Sequence, residues 1–574
     1  NVRHMDSGII GTSSSDYILF TNPSRHFPDE SDNFRFLRYW WEVGNKKIAF
    51  NIKNSQSAEC SGKKWFPYMK GGGFCQWYGN QEYTVNWHKN GLEIKNLGIE
   101  TGKVASRPQN TKYYFQKGVT WSDLTSGRFA ARLSPGGFIF DVKGSSVFPN
   151  DIPLVLALLN SSFAYYILTL LNPTISFQVG DLSRLPVPYG SSESLVKLVN
   201  QTIDLVRMDS KETENTYDFI QPPNWHNGIE ELIRRNRQLK QTEQQIDEEI
   251  YQLYGINQDD RKAIEYEIGS NPMDNVNPKD AEDEDITPIS KETLARQWIS
   301  YAVGIIMGRF QPSVENGLGR GDFTEEINSK LQALADPDGI LVMDEGHSDD
   351  LPARVLDALS IMLGETEAEE VVKTATGKEG AAETLLRTYL ERTFFKEHIK
   401  QYRKRPVYWL LQSPKKKYSV WLFHEKISKD TLFLIRSNKY IGSKMNLLEG
   451  QIADLQISRE QAQGRKKRDL ENNISELSDI LDDIREFDKL IKFITEERGY
   501  RHHIDDGVLL NMAPIWELIP SWQAEPKKAW QALERGDYDW AYQAMDHWPD
   551  RVKKKCLTNK SFAIAHGLEE LYDE

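Results

Sequence analysis

Residues 63–80 read Lys63-Lys64-Trp65-Phe66-Pro67-Tyr68-Met69-Lys70-Gly71-Gly72-Gly73-Phe74-Cys75-Gln76-Trp77-Tyr78-Gly79-Asn80, a mixture of cations, large aromatic side chains and glycines. Lysines can neutralise phosphates, aromatic faces can stack on exposed bases, and a glycine run lets a bulky ligand come close to the main chain. The same residues also suit a β-hairpin with a glycine turn and cross-strand aromatic pairs. Composition alone therefore supports a nucleic-acid contact and a structural hairpin about equally.

The length and composition are those of a multidomain globular protein. The chain has 574 residues, of which 39% are hydrophobic and 27% charged, and this length predicts about three or four domains. The most apolar stretch, residues 152–171, is interrupted by polar side chains, so we expect no membrane span. The N-terminal residues lack a secretion signal, and the three cysteines have neither zinc nor disulfide spacing. We therefore expect a cytoplasmic protein without a metal site.

The charge is distributed unevenly along the chain. The whole chain has a net charge of -13, but residues 60–120 contain nine Lys and Arg residues against three acids, a local balance of +6. DNA binding requires only a local basic face, so an acidic chain can still bind DNA through this segment.

The pattern of the first third predicts a β-rich domain over residues 1–190. We expect strand, turn and strand in residues 34–50, further strands at 83–87, 113–115 and 137–142, and turns at Asn90-Gly91 and Pro135-Gly136-Gly137. An apolar helical stretch follows over residues 152–171.

The rest of the chain is mainly helical by periodicity, which makes the predicted fold class α+β. We expect a helical spacer at 191–268, an acidic linker at 269–290, a mainly helical domain with a short β-segment at 291–439, and a Trp-rich segment at 499–574. A helical hairpin is expected at 440–498, because Leu470, Ile474, Leu477, Leu481 and Ile484 form a heptad pattern.

Catalytic motifs are absent from the sequence. A DNA methyltransferase needs a glycine-rich turn after a strand for its cofactor and an Asn/Asp-Pro-Pro-aromatic turn for the flipped base. The segments at 172–175, 221–224 and 317–321 each lack required residues of these motifs, and we find no P-loop, Gly-x-Ser-x-Gly or His-Glu-x-x-His motif. We therefore predict neither catalytic residues nor a cofactor or metal site, although His502-His503 before Asp505-Asp506 stays open as an acid/base or metal constellation.

Several motifs, together with the 64–80 segment, resemble the target-recognition region of adenine-specific DNA methyltransferases. They are Val85-Asn86-Trp87, Gly118-Val119-Thr120-Trp121-Ser122, Phe138-Ile139-Phe140-Asp141, Leu158-Leu159-Asn160-Ser161 and Asn172-Pro173-Thr174-Ile175-Ser176-Phe177-Gln178-Val179-Gly180-Asp181. The second half narrows the resemblance to the PglX methyltransferases of BREX phage-resistance systems. Its motifs are Ser300-Tyr301-Ala302-Val303-Gly304, Tyr402-Arg403-Lys404-Arg405-Pro406-Val407-Tyr408-Trp409, Asp505-Asp506-Gly507-Val508 and Ala563-Ile564-Ala565-His566-Gly567-Leu568.

The resemblance implies sequence-specific recognition of double-stranded DNA for N6-adenine methylation. Members of that family carry the S-adenosylmethionine and Asn-Pro-Pro-Tyr motifs in an N-terminal domain, and this chain matches only the region downstream of it. We therefore expect the chain to be inactive alone, to work with its own N-terminal methyltransferase domain, and to meet other BREX proteins. S-adenosylmethionine is expected only for the full-length protein.

The predicted DNA-binding residues fall into three classes. We expect phosphate contacts from Lys63, Lys64, Lys70, Lys112 and Lys117, and base contacts from Arg107, Arg128 and Gln76. We expect Trp65, Tyr68, Trp77 and Tyr78 mainly to shape the binding loop, since the bases of a duplex are already stacked. Where many relatives have a basic pair before Trp-Tyr-Gly, this chain has Cys75-Gln76, which suits a position that reads bases.

Two alternatives stay open. One is a non-enzymatic scaffold, in which the helical hairpin and the Trp-rich segment bind other defence proteins. The other is a complete enzyme that uses the histidine and acid cluster near residue 503. Steeply salt-dependent binding of duplex DNA would argue against the scaffold, and methyl transfer by this chain alone would show that a catalytic site is present.

Overall fold

The computed structural model describes residues 2–4, 31–102, 108, 110–123, 128–141, 143–174, 176–188, 190–269 and 289–573. The chain divides into two compact units. The first comprises residues 1–219, 223–290 and 556–574, and the second comprises residues 220–222 and 291–555. Small sheets occur with many helices, so the predicted α+β class is confirmed. The six predicted segments stay predictions, and most of the expected linker, residues 270–288, lies outside the described residues.

In the described part of the first unit, the strands form three small sheets. They are β1 (Val2–His4), β2 (Leu37–Tyr39), β3 (Trp65–Met69), β4 (Tyr83–Asn86), β5 (Lys117–Trp121), β6 (Ala131–Pro135), β7 (Ile139–Phe140), β8 (Ser146–Val147) and β9 (Pro186–Pro188). The sheet orders are β2-β4-β3-β7, β6-β5-β8 and β1-β9. Neighbouring strands are antiparallel except β3 and β7, and Tyr68 of β3 is paired with both Tyr83 and Ile139.

The helices of the first unit include short ones near the sheets and long ones in the predicted spacer. They are Ser31–Phe36, Trp40–Val43, Ser55–Cys60, His88–Lys95, Ile152–Asn160, Ser162–Leu171, Val179–Leu182, Glu193–Lys211, Gly228–Tyr254, Gln258–Gly269, Lys560–Ala565 and Glu569–Asp573. We call Glu193–Lys211, Gly228–Tyr254 and Gln258–Gly269 the spacer helices, and they confirm the helical periodicity predicted for this region.

The 63–80 segment joins two hydrophobic cores of the first unit. Its first half is β3, an inner strand whose Phe66, Tyr68 and Met69 pack in a core with other residues of the four-stranded sheet and with Phe115. Trp77 and Tyr78 belong instead to a core built from β5, β6 and the helices from 152 onward. Both cores therefore depend on this one segment, which explains its density of aromatic residues.

The prediction of strand, turn and strand for residues 34–50 is wrong. Only Leu37–Tyr39 is a strand, and the chain then turns into the short helix Trp40–Val43. The Glu42 carboxylate accepts the Tyr39 N–H at 3.0 Å, which closes this turn, and Trp40 Nε1 donates to the Asn215 carbonyl at 3.0 Å. These contacts override the β-propensity of the aromatic residues.

Residues 113–115 also differ from the predicted strand. Tyr113 ends a 3-10 turn that begins at Thr111, and Phe115 has a φ of 70°. The ring of Tyr113 stacks on Phe148 with centroids 5.4 Å apart. The turns predicted at Asn90-Gly91 and Pro135-Gly136-Gly137 are confirmed, since Asn90 and the three glycines have positive φ.

The apolar stretch of residues 152–171 forms two helices rather than one. Asp151 caps the first by accepting the Leu154 N–H, and Ser161 caps the second by accepting the Ala164 N–H. The helices Ile152–Asn160 and Ser162–Leu171 meet at 66°. Among the described residues no single helix has the length and apolarity to cross a membrane, although this bent pair passes that test jointly.

The second unit contains a three-stranded sheet and many helices. Its strands are β10 (Ile340–Val342), β11 (Tyr408–Gln412) and β12 (Ser419–Phe423), in the order β10-β12-β11 with antiparallel pairing. Its α-helices are Lys291–Ile306, Glu325–Leu334, Leu351–Leu363, Glu365–Thr376, Ala382–Tyr389, Phe395–Gln401, Thr431–Arg436, Ile441–Glu460, Gly464–Lys492, Gly507–Met512, Ala524–Arg535, Tyr542–His547 and Pro549–Cys556.

The predicted helical hairpin is confirmed in the second unit. Ile441–Glu460 and Gly464–Lys492 are joined by three residues and run antiparallel, with Arg485 bonded to Glu449 at 2.8 Å. The heptad residues Leu481 and Ile484 are buried at the base of this hairpin.

The tryptophans of the C-terminal segment do not form its core as expected. Only Trp540 is buried, and the tryptophans at 516, 522, 530 and 548 are half-exposed. Cations cover three of these rings, with Lys527 4.6 Å from the Trp516 ring centroid, Arg498 5.3 Å from that of Trp530 and Arg551 4.6 Å from that of Trp548. The core consists of aliphatic side chains such as Leu510, because the helix Gly507–Met512 is entirely buried.

Candidate nucleic-acid interface

The connection from β3 to β4, residues 70–82, is held in a fixed shape, and we call it the 70–82 loop. Gly71 has a φ of 93°, and a Cβ there would lie 2.4 Å from the Lys143 carbonyl oxygen. Two side chains bind the glycine backbone, since Ser122 Oγ donates to Gly72 O at 2.9 Å and Asn80 Nδ2 donates to Gly73 O at 2.8 Å. The glycines are therefore needed for close packing beneath the loop.

Trp77 and Tyr78 anchor the loop from below. The Trp77 N–H donates to Ala131 O at 2.9 Å, and the Trp77 indole Nε1 donates to Glu243 of a spacer helix at 2.8 Å. The Tyr78 hydroxyl donates to Asp218 at 3.0 Å. Both rings are 2% exposed, so their faces are not available to bases and they position the loop instead.

Trp65 and Tyr68 are likewise buried, in β3. Tyr68 is 0% exposed and its hydroxyl donates to Asp141 at 2.6 Å. Burial, followed by the nearby Asp141 charge, raises the pKa of Tyr68 well above its usual value. Burial also raises the pKa of Asp141, whereas the hydrogen bonds that it accepts from Tyr68 and from the backbone N–H groups of residues 143 and 144 lower it by a smaller amount. The aromatic residues predicted for DNA binding are therefore part of the scaffold under the loop.

The tip of the loop exposes other residues. Phe74 is 49% exposed beside the exposed Gly72 and Gly73, and Gln76 is half-exposed two residues further on. Sequence reasoning selected Gln76 but missed Phe74, although a large aromatic residue directly after three glycines was a usable signal. An exposed aromatic side chain on a pinned loop can insert between base steps, as apolar wedges do in DNA-bending proteins.

The predicted phosphate-binding lysines lie at two ends of β3. Lys63 and Lys64 precede the strand, where the Lys63 ammonium donates to the Lys46 carbonyl and Lys64 lies 5.7 Å from the Trp65 ring centroid. Lys70 follows the strand, 4.9 Å from the Tyr83 ring centroid. Six residues of extended chain separate Lys64 from Lys70 by about 20 Å, roughly the rise of six base pairs.

Lys112 and Lys117 are both exposed beside the start of β5. Lys112 lies 5.0 Å from the Tyr113 ring centroid. Lys117 opens β5 and is paired with Pro135 of β6. Neither ammonium has an ion pair with an acid among the described residues.

Of the two arginines predicted to contact bases, only Arg128 lies within the described residues. Arg128 Nη2 donates to Ser162 Oγ at 2.9 Å, and its guanidinium lies 5.1 Å from the Tyr165 ring centroid. The Arg128 charge also lowers the pKa of Glu243, which burial raises. Arg128 is thus bound to the helix Ser162–Leu171. Arg107 lies outside the described residues.

A further arginine, Arg132, was missed by the sequence analysis. It is 0% exposed, and its Nη1 lies 3.3 Å from Ser122 Oγ, the hydroxyl that holds Gly72. Its Nε and Nη2 have no hydrogen-bond partner within the described part of the chain. Burial lowers the pKa of Arg132, and the neighbouring Cys75 and Glu82 oppose that effect. A cation therefore lies under the loop and supports it through Ser122.

The residues considered as catalytic candidates in the sequence make local structural contacts. His503 Nε2 lies 2.6 Å from Asp546 Oδ2 in the second unit. The Gly319 carbonyl accepts the Tyr301 hydroxyl at 2.9 Å, and a Cβ on Gly319 would lie 2.3 Å from Phe310, so this glycine turn is packed on a core. Across the described ranges, no group of three or more His, Cys, Asp or Glu side chains is placed to hold a metal ion.

Comparison with known proteins gives two relatives. The chain is 30% identical over 515 residues to an adenine-specific methyltransferase, PglX, of Lacticaseibacillus casei (strain Zhang), a match covering 84% of this chain and 41% of that protein. It is 28% identical over 555 residues to the adenine-specific methyltransferase BrxX of Escherichia coli O9:H4 (strain HS), covering 87% of this chain and 43% of that protein. The chain thus spans about two fifths of the length of these relatives. No protein-family model matches it.

Proposed function

The chain matches PglX-type adenine-specific methyltransferases over most of its own length, which confirms the resemblance, and on that premise we propose that it selects the DNA target for adenine methylation. Methyl transfer with S-adenosylmethionine would be carried out by a region of the full-length methyltransferase that has no counterpart in this chain. The setting would be a BREX phage-defence system in the cytoplasm, with other BREX proteins as partners.

The pinned 70–82 loop and the lysines at the two ends of β3 carry this proposal. Lys63 and Lys64 at one end of β3 and Lys70 at the other would bind phosphates of one duplex about 20 Å apart. The 70–82 loop, which begins at Lys70, would present Gln76 to a base edge, where a bidentate amide contact suits adenine. Phe74 would make an apolar contact with a thymine methyl group in the same groove. The four buried aromatic residues would act indirectly, by holding the 70–82 loop and the flanking lysines in place. They are Trp65, Tyr68, Trp77 and Tyr78.

Lys112 and Lys117 would extend the phosphate contacts along the duplex, and Arg107 and Arg128 stay candidate base contacts. The hydrogen bond from Arg128 to Ser162 and its position over Tyr165 favour an indirect role for that arginine. We rank it below Gln76 and Phe74 for this reason.

Duplex binding measured by fluorescence anisotropy tests the proposal. The double variant Lys63→Gln/Lys64→Gln should lower affinity and reduce the slope of log K against log salt by about 1.8, since each phosphate contact contributes about 0.9. The matched control is Lys415→Gln/Lys416→Gln, which removes the same charge from an exposed turn of the second unit. Absent or salt-insensitive duplex binding, or an equal effect of both double variants, would contradict the proposal.

A further inference from the structure

A pocket of about 360 Å3 lies beside the anchor of the 70–82 loop, within the first unit. This volume is near the lower end of the range of about 300–1,000 Å3 typical of small-molecule sites. Its lining combines aromatic rings, a glycine turn, two cations and one carboxylate. Of these lining residues, only Tyr78 was among the predicted DNA-binding residues.

Three aromatic rings form the apolar wall of the pocket. Phe50 and Tyr217 are stacked with ring centroids 5.7 Å apart and an interplanar angle of 28°, and Phe138 lies 6.3 Å from Tyr217. The Gly136–Gly137 turn forms the adjoining wall. A Cβ on Gly137 would be no closer than 3.4 Å to its neighbours, so a ligand can approach the main chain there without a side chain in the way.

The polar side of the pocket carries two cations and a satisfied acid. Arg207 and Lys211, from the last turns of the spacer helix Glu193–Lys211, both line it. The guanidinium of Arg207 lies 4.9 Å from the Tyr78 ring centroid and interacts with the Tyr78 hydroxyl, and with five N–H donors it has others for an acceptor on a ligand. Asp218 accepts hydrogen bonds from Tyr78 and from Ser210. The Asp218 carboxylate offsets one of the two positive charges, and the remaining positive charge can attract an anion.

We propose that this pocket binds a nucleotide, with the base against the Phe50, Phe138 and Tyr217 rings and the phosphate at Arg207 and Lys211. Aromatic rings accept any base on their π-faces, and adjacent cations fix the phosphate. The volume fits one nucleotide rather than a dinucleotide. The nucleotide can be free in solution or an unstacked nucleotide of a nucleic acid. The site goes beyond the proposed function, because duplex binding through the lysines of β3 does not require it.

Calorimetric titration of the whole chain with dAMP, dGMP, dCMP, dTMP and inorganic phosphate tests this site. At least one nucleotide should bind, and Lys211→Glu should weaken it about tenfold or more through loss of a charged contact. Tyr217→Leu should weaken it similarly, whereas Tyr217→Phe, which keeps both ring contacts, should retain binding. Lys197→Glu makes the same charge reversal on an exposed position of the same helix and should leave binding unchanged.

Competition experiments distinguish the two sources. Displacement of the bound nucleotide by a duplex with one bulged nucleotide, but not by the fully paired duplex, would assign the pocket to an unstacked nucleotide of DNA. Retention of the nucleotide against both duplexes would assign it to a free nucleotide. The proposal is overturned if no nucleotide binds at about millimolar concentration, if Lys211→Glu binds like the parent, or if phosphate binds as tightly as every nucleotide. If the pocket variants still bind paired duplex normally, the nucleotide-site proposal can fail while the proposed duplex-binding function stands.

Discussion

Replacement of Trp77 by phenylalanine tests whether the indole anchor holds the 70–82 loop. Trp77 is 2% exposed, and its Nε1 donates to Glu243 at 2.8 Å. Trp77→Phe keeps an apolar ring but removes this hydrogen bond to a charged acceptor, a loss of about 1.5–3 kcal/mol, and some packing volume. Glu243 is half-exposed, so water replaces part of the bond. We expect unfolding of the first unit to become easier by about 2 kcal/mol.

The effect should depend on pH. Burial raises the pKa of Glu243 above its ordinary 4.5, and the Trp77 hydrogen bond opposes that rise. Trp77→Phe therefore raises this folded-state pKa further. When the pKa of a carboxyl is higher in the folded than in the unfolded state, the carboxyl stabilises the fold at pH values below its unfolded-state pKa. This stabilisation is lost as the pH rises through the folded-state pKa. The variant should thus be most destabilised at pH 7.5 and less so as pH falls toward 4.5.

Trp87→Phe is the matched control. Trp87 is also 2% exposed in the first unit, but its Nε1 has no hydrogen-bond partner among the described residues. Its replacement should cost only packing volume and show no comparable pH dependence. Urea unfolding combined with hydrogen exchange at residues 131–133 and 240–250 measures the difference. Equal costs for the two variants, or a pH-independent cost of Trp77→Phe, would refute the role of the indole as an anchor.

Two predictions concern the second unit. Asp483 is 0% exposed and accepts from Ser413 Oγ at 2.5 Å and from the Lys415 N–H at 2.7 Å; Asp483→Ala should destabilise this unit by about 3 kcal/mol in urea unfolding, and a change below about 0.5 kcal/mol would argue against this capping role. The pKa of His503 is raised above 6.5, because the Asp546 hydrogen bond and nearby acids outweigh the lowering by burial. The stabilisation by this charged histidine should be complete below pH 6.5 and decline as pH rises through the folded pKa. His503→Gln should flatten that part of the stability profile, and parallel profiles would contradict the assignment.

Local patterns in the sequence predicted the elements whose partners are close along the chain. The hairpin of Ile441–Glu460 and Gly464–Lys492 follows from heptad spacing, and β11 and β12 follow from two apolar runs separated by a basic turn. The spacer helices follow from apolar residues at helical spacing. In each case the local preference and the tertiary packing agree.

The site features that escaped prediction depend on distant contacts. Trp77 and Tyr78 were expected to shape the loop, but Trp77 is bonded to a residue 166 positions away and Tyr78 to one 140 positions away, so these partners had no local signal. The wrong strand at residues 34–50 has the same origin, because Glu42 and the backbone of Asn215 turn the chain at Tyr39 and Trp40. The charged wall formed by Arg207 and Lys211 was hidden for a similar reason, since their spacing fits an ordinary helix face.

Target choice by a chimeric methyltransferase is the most direct test of the central claim. The region of the L. casei PglX that aligns with residues 31–269 of this chain would be replaced by this chain's residues, and N6-methyladenine would be mapped in genomic DNA. If this chain selects the target, the chimera should methylate a motif different from that of the parent PglX, and Gln76→Ala within the chimera should relax the preference at one position of the new motif. Methylation confined to the parent's motif would contradict the claim.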